Sequence, residues 1–123
     1  VSDYLSLVAN GLITNEKTVE ENPDLVRGMV RALTRGITYT AEHADEAFQI
    51  CTKYVDNLAS LTPEEQEVQR RVLDASIKIW QVERPGYSDP QAWQNMQDLL
   101  LRMELLSSPL DLSAAYSNTF LPE

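Results

Sequence analysis

Few residues in this sequence have types and spacing suited to chemistry. The acids come in runs: Glu16, Glu20, Glu21 and Asp24, then Glu64, Glu65 and Glu67. Paired carboxylates can share acid and base work. Here most fall in first helical turns or on solvent faces, where they complement the helix dipole and keep the chain soluble. His43 is the only histidine and Cys51 the only cysteine. His43 stands where a helix is expected to start, which reads as a surface or capping position. Cys51 falls on an apolar helical stripe and reads as a small core residue rather than a nucleophile. Trp80, Tyr87 and Trp93 gather around the Pro85-Gly86 pair. Aromatics in such a group can wall a ligand, but the two tryptophans lie on helical stripes that favour the core, and Tyr87, in the loop, is the more open of the three. No glycine-rich phosphate loop, nucleophile elbow or metal-spaced ligand pair is present.

These residues belong to a chain of 123 residues, the size of one ordinary domain. It is 43% hydrophobic and 24% charged, a globular mixture rather than a disordered one. The net charge of -9 repels a polyanion, so nucleic acid is not an expected partner. No window approaches the ~20 apolar residues that span a bilayer. One thiol makes no internal disulfide, and the compartment stays open on that ground. The sequence starts at Val1 rather than a methionine, so its start says nothing about targeting.

Helix-start signals are repeated. Asn22-Pro23, Thr62-Pro63 and Asp89-Pro90 each set a capping side chain before a proline. Thr62 with Glu65 forms a capping box. Val26, Met29, Val30, Leu33 and Ile37 predict a helix over about 23–41. Ala44, Ala47, Phe48, Cys51, Tyr54, Val55 and Leu58 predict a second over about 44–58. Val68, Val72, Ala75 and Ile79, with Leu73, Ile77 and Trp80 widening the stripe, predict a third over about 63–80. Trp93, Met96, Leu100 and Met103, beside Ala92, Leu99 and Leu106, predict a fourth over about 90–106. A short helix is expected near Asp111 to Tyr116, and Phe120 and Leu121 in the tail are expected to dock on the body.

The apolar run from Leu5 to Thr14 reads as a strand. Nothing after it reads as strand, and burying unmade backbone bonds costs about 1–3 kcal/mol each. The strand must pair with a second copy of the chain or with a sheet the chain does not contain.

The string "NGLITNEKTVEENPDLVRGMVRALTRGITYT", Asn10 to Thr40, followed by "DEAFQICTKYV", resembles the C-terminal part of a family of ABC-importer substrate-binding proteins. That group handles thiamine pyrimidine precursors, riboflavin-like compounds, sulfonates and related small molecules. "AWQNMQDLLLRMELL" and "LDLSAAYSNTFLP" resemble its closing helix and tail. The resemblance implies a type II periplasmic-binding-protein fold: two α/β lobes, a hinge of crossing strands, and a ligand cleft between them. This chain is then mainly α, about four amphipathic helices after one N-terminal strand, and one part of that α/β fold. Residues 1–15 become the crossing strand and 16–123 the helical flank of the first lobe. The orphan strand's partners become the N-terminal remainder of the protein, or a second copy by strand pairing or swapping.

The same resemblance sets Asp3, Tyr4 and Asn10 near the cleft. Tyr4 can stack on a flat heterocycle and Asn10 can hydrogen-bond its ring nitrogens or amine; otherwise Tyr4 is a strand residue and Asn10-Gly11 only bends the chain. The implied function is solute capture for an ABC permease by a periplasmic or extracytoplasmic lipoprotein, without a cofactor and without catalysis. The family's synthase branch relies on a histidine and a cysteine-rich motif that this chain does not match. The rival expectations are a helical protein-interaction domain that dimerises through its N-terminal strand, and an enzyme working through carboxylates.

Overall fold

Side chains cap the first turns of three described helices, from Asn15, Thr62 and Asp89. The computed structural model describes residues 6–122. Helix α1 is Glu16–Glu21, α2 Pro23–Glu42, α3 Ala44–Tyr54, α4 Pro63–Trp80 and α5 Pro90–Arg102. Short 3-10 turns cover Leu58–Ser60 and Leu112–Ala114. At α4 the Thr62 hydroxyl accepts from the Glu65 amide at 3.3 Å, and the Glu65 carboxylate accepts from the Thr62 amide at 2.8 Å. The expected capping box is therefore formed. At α5 the Asp89 carboxylate accepts from the Gln91 amide at 3.0 Å. Helix α1 was not foreseen: the Asn15 side chain accepts from the Thr18 amide at 2.8 Å and opens one short turn and a half. Its only sequence signal is that cap followed by Glu16.

Two helices end earlier than their apolar spacing predicts. Helix α3 stops at Tyr54, and Asn57 takes a left-handed φ of 64° before the Leu58–Ser60 turn. Helix α5 stops at Arg102 because Glu104 takes a left-handed φ of 58°. The Leu105 amide then donates to the Leu100 carbonyl at 2.9 Å and the Glu104 amide to the Leu101 carbonyl at 3.1 Å. This is a Schellman closure with glutamate in the place that glycine usually fills.

The described residues form two units. One takes in those up to Val30 together with those from Gly86 onward; the other is Arg31–Pro85. In the first unit the C-terminal tail is strapped down at several points. The buried Gln97 side chain of α5 accepts from the Leu110 amide at 2.7 Å. The Trp93 and Tyr116 rings stack 5.1 Å apart at 9°. The Arg27 guanidinium lies 5.4 Å over the Phe120 ring, which with half-buried Leu121 docks the tail as expected. In the second unit α3 packs on α4 and on the Leu58–Ser60 turn, with Ala47, Leu58 and Ile77 buried.

The expected strand is not present among the described residues. Residues 6–15 are non-helical and unladdered, and Ile13 is 92% exposed. A strand is defined by its partner's hydrogen bonds, and the described chain supplies no second extended segment to pair with it. Three expected core stripes are corrected as well, the first on α2, where Met29 and Leu33 are exposed while Val26, Val30 and Ile37 are covered. On α4, Val68, Val72, Ala75 and Ile79 face outward while Leu73, Ile77 and Trp80 face inward. Cys51, expected in the core of α3, is exposed.

Candidate functional site

The candidate binding residues lie at the start of the chain. Asp3 and Tyr4 fall outside the described residues. Asn10 is described and exposed, within the unladdered segment 6–15 that joins α1. That segment is fixed at one point: the Asn95 side-chain amide of α5 donates to the Ser6 carbonyl at 2.9 Å. The backbone at Ser6 is thereby held against Asn95 of α5.

The aromatic group around Pro85-Gly86 divides between the units. Trp80 is half-buried on α4, in Arg31–Pro85. Trp93 and Tyr87 belong to the other unit, where Trp93 is half-buried against Tyr116. The Trp93 indole nitrogen is buried with no hydrogen-bond partner. Gly86 has a φ of 84°, the left-handed turn geometry that glycine takes without strain. That turn leads into Ser88, whose backbone N–H donates to the Asn118 side-chain carbonyl at 2.9 Å while its own carbonyl accepts from the Asn118 amide at 2.9 Å. The spacing of Trp93 and Tyr116 gave no sign that the tail returns to α5; the aromatic pair is visible only in the fold.

The second unit holds the main charged cluster. The Arg70 guanidinium of α4 pairs with Asp45 at the start of α3, and its Nε donates to Asp74 at 3.1 Å. These carboxylates raise the Arg70 pKa further, Asp45 first. The cluster is solvent-exposed and pins α3 to α4 weakly, in the manner of a surface ion pair. Nearby, the Tyr39 and His43 rings sit 4.6 Å apart. A hydrogen bond to the Glu46 carboxylate holds the Tyr39 phenol above its ordinary pKa, with desolvation and the Glu46 charge adding to it. His43 takes the N-cap position of α3 but makes no side-chain cap bond. A shallow, open depression runs over Ala41 to Glu46. Its lining is one helix junction with three carboxylates, and it has neither depth nor an apolar wall for a ligand. Among the described residues no group of three His, Cys, Asp or Glu side chains is placed to hold a metal ion, and no helix is long and apolar enough to cross a membrane.

Residues 1–47 match the family described as NMT1/THI5 like. The riboflavin-binding protein RibY of Chloroflexus aurantiacus is 35% identical to the chain over 98% of its length, and 35% of the relative is covered. A 4-amino-5-hydroxymethyl-2-methylpyrimidine phosphate synthase of Legionella pneumophila is 30% identical over 90% of the chain and 32% of the relative. A formylaminopyrimidine-binding protein of Halalkalibacterium halodurans is 30% identical over 96% of the chain and 35% of the relative. No solved structure matches. The N-terminal 47 residues are thus similar to the NMT1/THI5-like family, and the chain spans about a third of the length of the curated relatives it matches.

Proposed function

We propose that the chain is the C-terminal portion of the solute-binding component of an ABC importer. Its solute is a small heterocycle of the flavin or thiamine-pyrimidine-precursor class. The single observation that supports this most is continuity: a riboflavin-binding relative aligns along 98% of the chain, and a formylaminopyrimidine-binding relative along 96%. Both ligands are planar nitrogen heterocycles, the class that one aromatic face and a few amide donors recognise.

In this reading residues 1–15 cross between two lobes and 16–123 flank the first. Tyr4 stacks on the heterocycle, Asn10 hydrogen-bonds its polar edge, and Asp3 sits beside them. The Ser6–Asn95 bond keeps that segment seated on α5. Lobe closure on the solute is then read by a membrane permease, which sets the protein outside the cytoplasm as an anchored lipoprotein. The role is capture without turnover. Because one relative is named a synthase, the test must separate the two.

That test is a flavin-fluorescence titration of the polypeptide extended upstream of Val1 as its gene encodes it, with pyrimidine competitors. Saturable binding is expected, with solute recovered unchanged by mass spectrometry. Tyr4→Ala is expected to weaken it at least about tenfold without lowering the melting temperature. No binding of any flavin or pyrimidine, or conversion of the solute, overturns the reading. Unchanged affinity in Tyr4→Ala and Asn10→Ala removes those residues from the site.

The outward position of Leu12 and Ile13 favours one alternative, a helical interaction domain that dimerises by pairing this segment. A dimer of the 123-residue chain, lost in Ile13→Lys, supports it.

A further inference from the structure

Helix α2 is apolar around more than half of its circumference, and only one side of that arc is covered. The row Val26, Val30, Thr34 and Ile37 points inward. At 100° per residue, an adjoining arc of roughly 140° carries Gly28, Ala32, Leu25, Gly36, Met29 and Leu33. On that arc Leu25, Met29 and Leu33 are 49% to 63% exposed. A Cβ built at Gly28 or Gly36 meets nothing within 4 Å. The third arc holds the charges: Asp24, Arg27, Arg31, Arg35 and Glu42. A surface helix of a finished domain carries one apolar stripe and a polar remainder. On helix α2 the apolar arc is roughly 240° wide, running without a break from Gly28 through Leu33 and Val26 to Thr34, with the charges on the remainder, and only its Val26 to Thr34 side is covered.

Helix α4 also has an uncovered apolar face. Ile77, Leu73 and Trp80 face inward, and the opposite stripe of Val68, Val72, Ala75 and Ile79 faces outward. Its three large members are 45% to 76% exposed. Periodic apolar faces of this size on two helices exceed the scattered exposed hydrophobics of ordinary surfaces.

We infer that both open faces are covered by the rest of a binding-protein chain, the two thirds of length that the relatives have beyond the matched region. This rests on the proposed reading of the chain as a C-terminal portion. It adds which faces are the inner ones. The furrow Gly28-Ala32-Gly36 beside the ridge Leu25-Met29-Leu33 takes a backbone at close approach, since its floor has almost no side chain. The charged arc of α2 is the one left in solvent. A second copy fits less well. The extra length of the relatives, about two thirds of each, is what favours the remainder of the chain over it.

The test is cysteine accessibility in a Cys51→Ser background. Met29→Cys, Leu33→Cys and Val72→Cys probe the open faces; Arg31→Cys and Glu67→Cys probe the charged ones. Maleimide labelling is followed in the 123-residue chain over a concentration series, and in the polypeptide extended upstream of Val1. At least about tenfold slower labelling at the three face positions is expected in the extended protein, with the controls unchanged and no concentration dependence in the short chain. Equal rates in both forms overturn the inference, as does a reading frame without an extension of that length. Protection that grows with concentration in the short chain assigns the faces to a second copy and overturns it too. Carbene footprinting of the unsubstituted proteins over Leu25–Leu33 and Val68–Ile79 gives the same reading should a cysteine variant misfold. Faces unprotected in a protein that binds flavin sink this inference alone. Faces protected in a protein that binds no solute sink only the functional reading.

Discussion

The Asn118 side chain makes a reciprocal pair with the backbone of Ser88, its amide donating to the Ser88 carbonyl and its carbonyl accepting from the Ser88 N–H, each at 2.9 Å. The two stand 30 positions apart in the chain, and this pair closes the loop between them. It joins the turn that feeds α5 to the tail that returns over it. Gln97 to Leu110 and Trp93 to Tyr116 are the other fastenings of the same strap.

Asn118→Ala deletes both bonds and leaves two part-buried backbone groups of Ser88 unpaired. A loss of about 1–3 kcal/mol in chemical denaturation is expected. Ser88→Ala is the control. Both bonds run to the Ser88 backbone, so that variant is expected to stay within about 0.5 kcal/mol of the parent. Equal losses in the two variants would show that the serine hydroxyl, not the amide pair, closes the strap.

Glu104 holds a left-handed φ of 58° at the end of α5. The side chain has no steric reason to prefer that region, and the cost of an L residue there is roughly 1–2 kcal/mol. Glu104→Gly is therefore expected to raise stability by about 1 kcal/mol, less whatever glycine loses through its freer unfolded state. Glu104→Ala, which keeps the penalty, is expected to change little. A destabilised glycine variant would mean that the glutamate side chain makes a contribution larger than its backbone strain.

Asp111 accepts from the Ser113 hydroxyl at 2.6 Å and from the Ser113 amide at 2.9 Å. These bonds, the hydroxyl first, hold its carboxyl below the ordinary value of 3.8. A depressed folded pKa adds stability that is present above the unfolded value and is lost as pH falls through the folded one. The parent is thus expected to melt higher than Asp111→Asn at pH about 7. The gap should hold down to pH about 5 and close below about pH 3. Melting curves across that range check it, and a gap that persists in acid would assign the effect to something other than the ionised carboxylate.

Helix starts were legible in this sequence because their signal is local. Pro23, Pro63 and Pro90 each open a helix, and Thr62 with Glu65 makes the capping box that their spacing announces. Helix ends were less so. Nothing in the identity of Glu104 marks a left-handed residue, and the apolar spacing runs on through Leu106 past the true end of α5. Short α1 depends on one asparagine cap. The sharper failure was the choice of face. On α4 the residues Val68, Val72, Ala75 and Ile79 satisfy helical periodicity as well as Leu73, Ile77 and Trp80 do, and periodicity alone cannot say which stripe a given stretch of chain will cover. The unladdered segment 6–15 has the same cause: its apolar pattern anticipates a partner that the described residues do not contain. Of the candidate site, Asn10 was legible only through the family resemblance, whereas the strap residues Gln97, Asn118 and Tyr116 carry no sequence signal at all, since each depends on a long-range return of the chain.

The glycines of α2 give a prediction whose sign depends on what covers the helix. In the 123-residue chain a Cβ at Gly28 or Gly36 enters open space. Glycine inside a helix is about 0.5–1 kcal/mol less favourable than alanine. Gly28→Ala and Gly36→Ala should each stabilise this chain by that amount. In the extended polypeptide the same methyl enters a packed contact, and overpacking costs about 1–3 kcal/mol. The two variants are therefore expected to raise stability in the short form and lower it in the long one, read by denaturation of both. Because the propensity gain is common to the two forms, the difference between them isolates the packing at the furrow. A gain of equal size in both forms would mean that Gly28 and Gly36 face solvent in the longer protein too, and that the close approach lies elsewhere on α2.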